Sequence, residues 1–558
     1  MHNRLCDTDR IMIAALGIGV FLFFWPALPV AALMYALAEG FKDKKLMVYG
    51  TGAVIGMAFA VFLAFGFKEF VFEYCHQQVM LFKRLAGHRS GGTINWAVFV
   101  KAGVPIGVVM GLIIEMIKAS RPEWMKDRHD KPGKTISGKK AAEMMERLVH
   151  PPEGTALGIS MDGKPVHVTD AELNGHCLVL GATGAGKTTT LMNFVESAAL
   201  RGIPLIVVDG KGEIEFMERV RNIAKRCGRR FFGFSMAADS GSLHYNPLRR
   251  GNYSELKDKL ISITEWTEPH YKLMAERYLQ SSIRVLQMLG VKIDLSNIAD
   301  LLDPGDIVLA ARKLAREGMI DEYELKRFAG MVEESKRDIG GLVNRLAVFA
   351  ESEIGHLLKD TDEDEDTTID LVSAIDSDGV VFFSLDSLRF PEYSRLLGRL
   401  IVIDLKTTAA RMFGRGKKVF SIFDEFGVFA GSQVTDYINK SRGAGFHVIL
   451  STQELADLRT GGEEELMEQV LGNTNIKIIH RQDVPASAEL LSSLIGTRED
   501  MSITRQIDQA GMTGMGTVSE QRSFIVHPDE IKRLGVGEVF MLKKFPEFEI
   551  RKVIVRRV

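Results

Sequence analysis

The chain has 558 residues, 46% of them hydrophobic, with a formal net charge of −2, which allows two or three domains around a large core. That balance excludes a uniformly basic nucleic-acid binder and leaves any such contact to a local basic face that the sum conceals. Four cysteines, at 6, 75, 177 and 227, show no C-x-x-C spacing, which argues against a disulfide framework and for a reduced, cytosolic main body.

Hydrophobicity is concentrated in the runs 11–38, 46–67 and 95–117. Each reaches the roughly 20 residues that cross a bilayer, so residues 1–118 are expected to form a transmembrane helical anchor. The first run is too long for a signal peptide and lacks a small-residue cleavage site. Buried core helices are the alternative, above all for 95–117, which contains Lys101. Residues 119–150 are rich in Lys and Arg, as a cytoplasmic flank is. With everything beyond them in the cytosol, 39–45 falls inside and 68–94 outside, where Lys68, Lys83, Arg84 and Arg89 run against the charge rule. Pro26 and Pro29 either kink one long helix or turn a short hairpin, so the side of the N-terminus stays open.

From 151 the pattern becomes that of an α/β protein, with short strands near Gly158–Ile159 and Val166–Val168. The apolar run Cys177–Leu180 then leads into GATGAGKTTT, Gly181 to Thr190, which fits the phosphate-loop pattern G-x-x-x-x-G-K-[ST]. A helix is expected over Lys187–Leu200 and a second apolar strand over Leu205–Asp209, which completes a βαβ unit. Gly181, Ala182, Thr183, Gly184, Ala185, Gly186, Lys187, Thr188 and Thr189 are the expected ATP-binding set. Backbone N–H groups and the helix N-terminus surround the phosphates, Lys187 reaches the β/γ-phosphates, and the Thr188 hydroxyl ligates Mg2+. The histidines are scattered, and Mg2+ on the nucleotide is the one metal expected.

Residues 251–366 carry apolar positions at three-and-four spacing and are expected to be an all-α inserted domain. The acidic run Lys359–Asp370 that closes it is expected to be a solvated loop, with contact to a basic partner as the alternative. The β pattern resumes in 367–558 with Val380–Leu385, Val419–Phe423, His447–Leu450, Ile476–Ile479 and Val539–Leu542. These continuous apolar runs suit parallel strands buried on both faces, so the nucleotide-binding domain begins in 151–250 and is completed after the insertion.

A phosphate loop alone promises binding, and KVFSIFDEFG, Lys418 to Gly427, supplies the second element. A buried strand there delivers Asp424 to hold Mg2+ and Glu425 to orient and polarise the attacking water. SRGAGFHVILSTQ adds another strand that ends at Gln453, beside the γ-phosphate as a sensor. Arg442 precedes that strand at its opposite edge. It is either a solvated arginine in a Gly-rich loop or an arginine finger that serves a neighbouring subunit. No interleaved basic and aromatic stripe of the kind that grips single strands is evident.

Together GATGAGKT at 181, VVDGKGE at 207, YNPL at 245, SLDSL at 384, FDEFG at 423, SRGAGFHVILSTQ at 441 and HPDEIKRLGVGEVFML at 527 resemble the type IV coupling proteins. These are the TraD/TraG-like ATPases of conjugation and type IV secretion, within the FtsK/HerA group. The resemblance implies a RecA-like P-loop NTPase core and a homo-hexamer on a bacterial inner membrane. It also implies transfer of DNA, as a relaxase-linked single strand, toward a type IV secretion channel, with the relaxosome and channel proteins as partners. It implies the trans role for Arg442 and the sensor role for Gln453. A receptor for protein effectors and an FtsK/HerA-type chromosomal translocase are the alternatives. The chain departs from the family in having three or more expected crossings and no long acidic tail after RKVIVRRV, which would place substrate recognition in the helical insertion or in other proteins.

Overall fold

The computed structural model describes residues 27, 67–86, 93–103, 138–237, 241–262, 266, 268–361, 367–459, 464–508 and 511–558. They fall into two units, Met1–Pro132 and Gly133–Val558.

In the first unit Phe67–Leu85 form one helix, and residues 96–103 are also helical. Tyr74, Val98, Phe99 and Ala102 are buried together, with the Tyr74 and Phe99 rings edge to face at 5.7 Å. Among the described residues no helix is long and apolar enough to cross a membrane. This overturns the expected multi-pass placement in a bacterial inner membrane and leaves the transmembrane anchor without support. The stretch expected as an outside loop is instead the helix Phe67–Leu85, and its Lys68, Glu69, Glu73, Lys83 and Arg84 are too costly for hydrocarbon. The runs 11–38 and 46–67 lie outside the described residues except at Ala27 and Phe67, and 95–117 is described only as far as residue 103.

The second unit is built on an eleven-stranded sheet. In chain order its strands are β1 Gly154–Ser160, β2 Pro165–Thr169, β3 Cys177–Leu180, β4 Leu205–Asp209, β5 Phe231–Ser235 and β6 Val380–Ser384. They continue with β7 Val419–Asp424, β8 Phe446–Thr452, β9 Ile476–Ile479, β10 Glu538–Lys543 and β11 Glu549–Val555. The spatial order is β2-β1-β11-β10-β9-β3-β8-β7-β4-β6-β5. The seven strands from β9 to β5 run parallel, and the rest extend the sheet antiparallel. The parallel part requires runs apolar on both faces, and β4 shows why. Leu205 and Val207 belong to one core with Phe194, Phe216 and Phe382. Ile206 and Val208 belong to the other, with Tyr278, Phe383 and Leu400.

Helices α1 Lys187–Leu200 and α2 Ile214–Arg226 cover the first face. On the second face lie α3 Tyr253–Ile261, α4 Pro269–Met288, α5 Pro304–Arg316, α6 Glu322–Ser335 and α7 Gly340–Ala350, with α8 Pro391–Met412 and α9 Ser432–Ser441. Their starts are written in the sequence. Asn252 and Glu255 form a capping box, Asp303 and Asp321 accept from the first turns of α5 and α6, and Pro269 and Pro304 occupy first-turn positions. Of the acidic run, residues 362–366 lie outside the described residues, and at its end Asp370 is not solvated as expected but binds Arg250 (Nε to Oδ2 2.8 Å) and caps the helix Leu371–Asp376. Thr497–Asp508 and Gly511–Phe524 form a separate two-stranded sheet that the sequence reading did not anticipate.

One buried ion pair ties α3 to α8. Lys259 Nζ donates to Asp404 Oδ1 at 2.7 Å and to the carbonyls of Pro247 and Arg250 at 2.7 and 2.9 Å. The Tyr245 hydroxyl donates to the other Asp404 oxygen at 2.8 Å. Every proton of the ammonium is thereby used, which is the condition under which a buried charge is tolerated. Asp404→Ala is expected to lower unfolding stability by about 3–5 kcal/mol, because it strands the ammonium. Lys259→Met combined with Asp404→Leu is expected to recover most of that loss, as read by chemical unfolding of both variants.

Candidate nucleotide site

The site forms at the carboxyl edge of the parallel strands. β3 ends at Leu180 and α1 begins at Lys187, with Gly184 and Gly186 between them at φ 75° and 105°, a region that side chains resist. Lys187 Nζ donates to Gly181 O at 2.7 Å and lies 3.4 Å from Glu425 Oε1. Thr188 and Thr189 follow in the first turn of α1.

The loop is held from beneath by neighbours on other strands. Ala182 N–H donates to Arg481 O at 2.9 Å and Gly537 N–H to Ala185 O at 3.1 Å. His480, at the end of β9, is fully buried between Ala185 O (3.0 Å from Nδ1) and the Thr190 hydroxyl (2.9 Å from Nε2). A carbonyl only accepts, so Nδ1 carries the proton and Nε2 accepts from Thr190. Burial holds the imidazole neutral by pushing its pKa down to about 4.

Beside β3 and β8, strand β7 pairs with β4 so that Asp424 stands opposite Asp209. Asp424 Oδ1 accepts from the Ser451 hydroxyl at 2.7 Å, and Asp209 accepts from the N–H groups of Lys211 and Glu213 at 2.9 and 2.6 Å. Burial and the neighbouring Asp424 push Asp209 up to about 7. Burial, reinforced by Glu425, pushes Asp424 up to about 6. Two buried carboxylates that resist ionising together suit a divalent cation, so these residues fit a Mg2+–nucleotide at the loop.

Glu425 takes the left-handed backbone conformation, φ 49° and ψ 43°, which a residue with a side chain adopts at a cost. Its carbonyl sits where a Cβ on Gly210 would lie only 2.7 Å away, so that glycine admits the turn. The turn leaves Glu425 Oε1 accepting from Gln453 Nε2 at 3.1 Å, and Gln453 Oε1 accepts from the Thr183 hydroxyl at 3.0 Å. Lys187, Glu425, Gln453 and Thr183, taken from three separate parts of the sequence, thus form one connected group.

Arg442 is not part of it. It is exposed in the short turn Arg442–Ala444 that enters β8, at the end of the sheet away from the loop, and among the described residues no carboxylate pairs with it. Sequence reasoning gave no role to Asp209, Ser451 or His480. A signal existed for Asp209, because β4 ends in a carboxylate as β7 does. For His480, one histidine after IKII carries nothing that separates it from an ordinary core residue.

Several comparisons bear on this arrangement. Residues 418–535 match the family described as the TraM recognition site of TraD and TraG, and residues 141–226 match the FtsK/SpoIIIE family. The type 4 coupling protein DotL of Legionella pneumophila is 22% identical over 58% of this chain and 49% of its own length. The DNA import protein CedB of Sulfolobus acidocaldarius is 25% identical over 51% of this chain and 41% of its own. The chain therefore spans about half the length of these curated relatives or less. Among solved structures, the bacterial conjugative coupling protein TrwB shares the fold at TM-score 0.50 and 14% identity, over 75% of this chain and 92% of that one.

The folded pKa of His480 lies below the ordinary histidine value of about 6.5, so its contribution to stability is present above that value and is lost as pH falls toward 4. His480→Gln is expected to be less stable than the parent at pH 7.5. The gap should narrow by about 2 kcal/mol at pH 5, since only the parent loses the histidine term on acidification. Thermal unfolding at the two pH values reads the difference.

Two stretches of the chain thus resemble the TraD/TraG and FtsK/SpoIIIE families, and the chain shares the fold of the conjugative coupling protein TrwB, likenesses that support a type IV coupling protein and P-loop ATPase.

Proposed function

We propose that the chain couples ATP hydrolysis to the transfer of DNA, as a relaxase-linked single strand, toward a type IV secretion or conjugation channel, and that it works as a homo-hexamer. The observation that carries the hydrolytic part is the connected group Lys187–Glu425–Gln453–Thr183 beside the paired Asp209 and Asp424.

In this reading the N–H groups of Gly181–Gly186 and the N-terminus of α1 hold the phosphates, and Lys187 leaves Glu425 for the β/γ-phosphates. Thr188 and Asp424 would hold Mg2+, whose chemistry there would be to offset negative charge on the phosphates. Glu425 orients the attacking water and accepts its proton, and Gln453 reports the γ-phosphate through the amide that now bridges Glu425 and Thr183. Arg442 serves the nucleotide of the neighbouring subunit, a role supported by its exposure and by its lack of a carboxylate partner among the described residues. Residues 119–150 are assigned as a linker, 251–366 as the inserted domain, and 151–250 with 367–558 as the two parts of the nucleotide-binding domain.

The DNA step is supported by the names of relatives: CedB is a DNA import protein and TrwB a conjugative coupling protein. The match of 418–535 to the TraM recognition site of TraD and TraG supports a relaxosome partner.

Glu425→Gln is expected to lower ATP turnover roughly 100-fold or more while leaving nucleotide binding intact. Single-stranded DNA should accelerate the parent. Turnover that survives the substitution removes the role of Glu425, and a rate indifferent to DNA favours the protein receptor. Separately, mixing Arg442→Ala subunits with Lys187→Ala subunits should restore part of the activity that each lacks alone. No recovery at any ratio would count against a shared site.

A further inference from the structure

We propose that the cleft between α7 and α8 binds single-stranded nucleic acid by alternating arginine and aromatic contacts. The inference rests on the reading that the chain handles DNA and names the surface that does so. The cleft, of about 620 Å3, is lined by Arg345, Val348 and Phe349 of α7 and by Glu392, Tyr393 and Arg395 of α8. From the start of α8 a row of rings and cations leads into it. The Arg389 guanidinium lies 5.6 Å over the Phe390 ring, Phe390 meets Tyr393 at 6.3 Å, and Tyr393 meets Phe349 edge to face at 5.4 Å. Arg345 stands exposed on the α7 side, and Tyr393 and Phe390 are half-buried, fixed in place with surface to offer.

Phosphates need cations at a spacing that follows the strand, and bases need ring faces held open to solvent. Both are combined in protein grooves that take single strands without sequence preference. Among the described residues, two acidic groups stand beside these arginines and leave room for an anion. Arg389 pairs with Asp386 and Arg395 with Glu392 three residues away on exposed surface, where such pairs contribute little and a phosphate can take the carboxylate's place. The sequence hid the pattern because α7 and α8 are separated by the acidic run and β6.

The cleft is also joined to the nucleotide carboxylates. Leu385 N–H, at the end of β6, donates to Asp209 O at 2.8 Å. Gly212 packs so closely on the same segment that a Cβ there would lie 2.7 Å from Leu385 O. The segment that follows, Asp386 to Phe390, carries the first arginine and ring of the row.

The test is binding of a fluorescent oligo-dT to the full chain by anisotropy across a salt series, together with ATP turnover. Arg345→Glu with Arg395→Glu is expected to weaken binding roughly tenfold or more and to lower the salt dependence, and Tyr393→Ala to weaken it roughly tenfold at every salt concentration. Turnover without DNA should not change, and its stimulation by the oligonucleotide should fall. Glu392→Ala, which removes a carboxylate from the lining of the cleft, is expected to tighten binding a few-fold, a gain that misfolding cannot imitate. If the parent binds the oligonucleotide and all the variants bind it equally, the cleft is not the contact and the DNA reading stands. If only the charge reversals act, the stacking role is overturned. If the parent binds no single strand, the cleft and the DNA reading fall together.

Discussion

The chemistry depends on one register. Because β4 and β7 pair in parallel with Asp209 opposite Asp424, two carboxylates end side by side at the edge where the phosphate loop also ends. Shifting either strand by one residue would turn its own carboxylate to the other face of the sheet and part the pair. That register is held by apolar neighbours on both sides, Val207 and Ile422 in one core and Val208 and Phe423 in the other. The cost of burying paired acids is thus offset by a sheet whose apolar faces are covered on both sides.

Around this pair the polar side chains satisfy one another. The Lys187 ammonium rests on Gly181 O and near Glu425, and Gln453 bridges Glu425 to Thr183. A phosphate contact by Lys187 or Gln453 would therefore replace one of these contacts. Glu425 keeps its left-handed turn because Asp424 is fixed from Ser451 and Gly210 leaves room for its carbonyl.

Much of the fold was legible because the parallel strands carry unbroken apolar runs. Cys177–Leu180, Leu205–Asp209 and Ile476–Ile479 were read with the bounds the structure gives them. Of the site, Lys187, Glu425 and Gln453 announce themselves because each ends or follows a strand within a recognisable pattern. His480 and the arginine–aromatic row do not, since their meaning comes only from contacts with residues far away in sequence, such as Thr190 for the histidine and Phe349 for Tyr393. For the segment before residue 118, the described residues hold no helix long and apolar enough to cross a membrane, and a charged helix, Phe67–Leu85, stands where a loop was expected.

The ion pair between Lys259 and Asp404 has a mechanical consequence. Asp404 and the cleft residues Tyr393 and Arg395 lie on the same helix, α8, so roughly 14 Å of rigid rod separates Arg395 from the point where α3 is fastened. A helix bolted to a second element at Asp404 would carry any tilt at its start to the helices that follow Tyr253, and a push on those helices would return along the same rod toward the strand end beside Asp209.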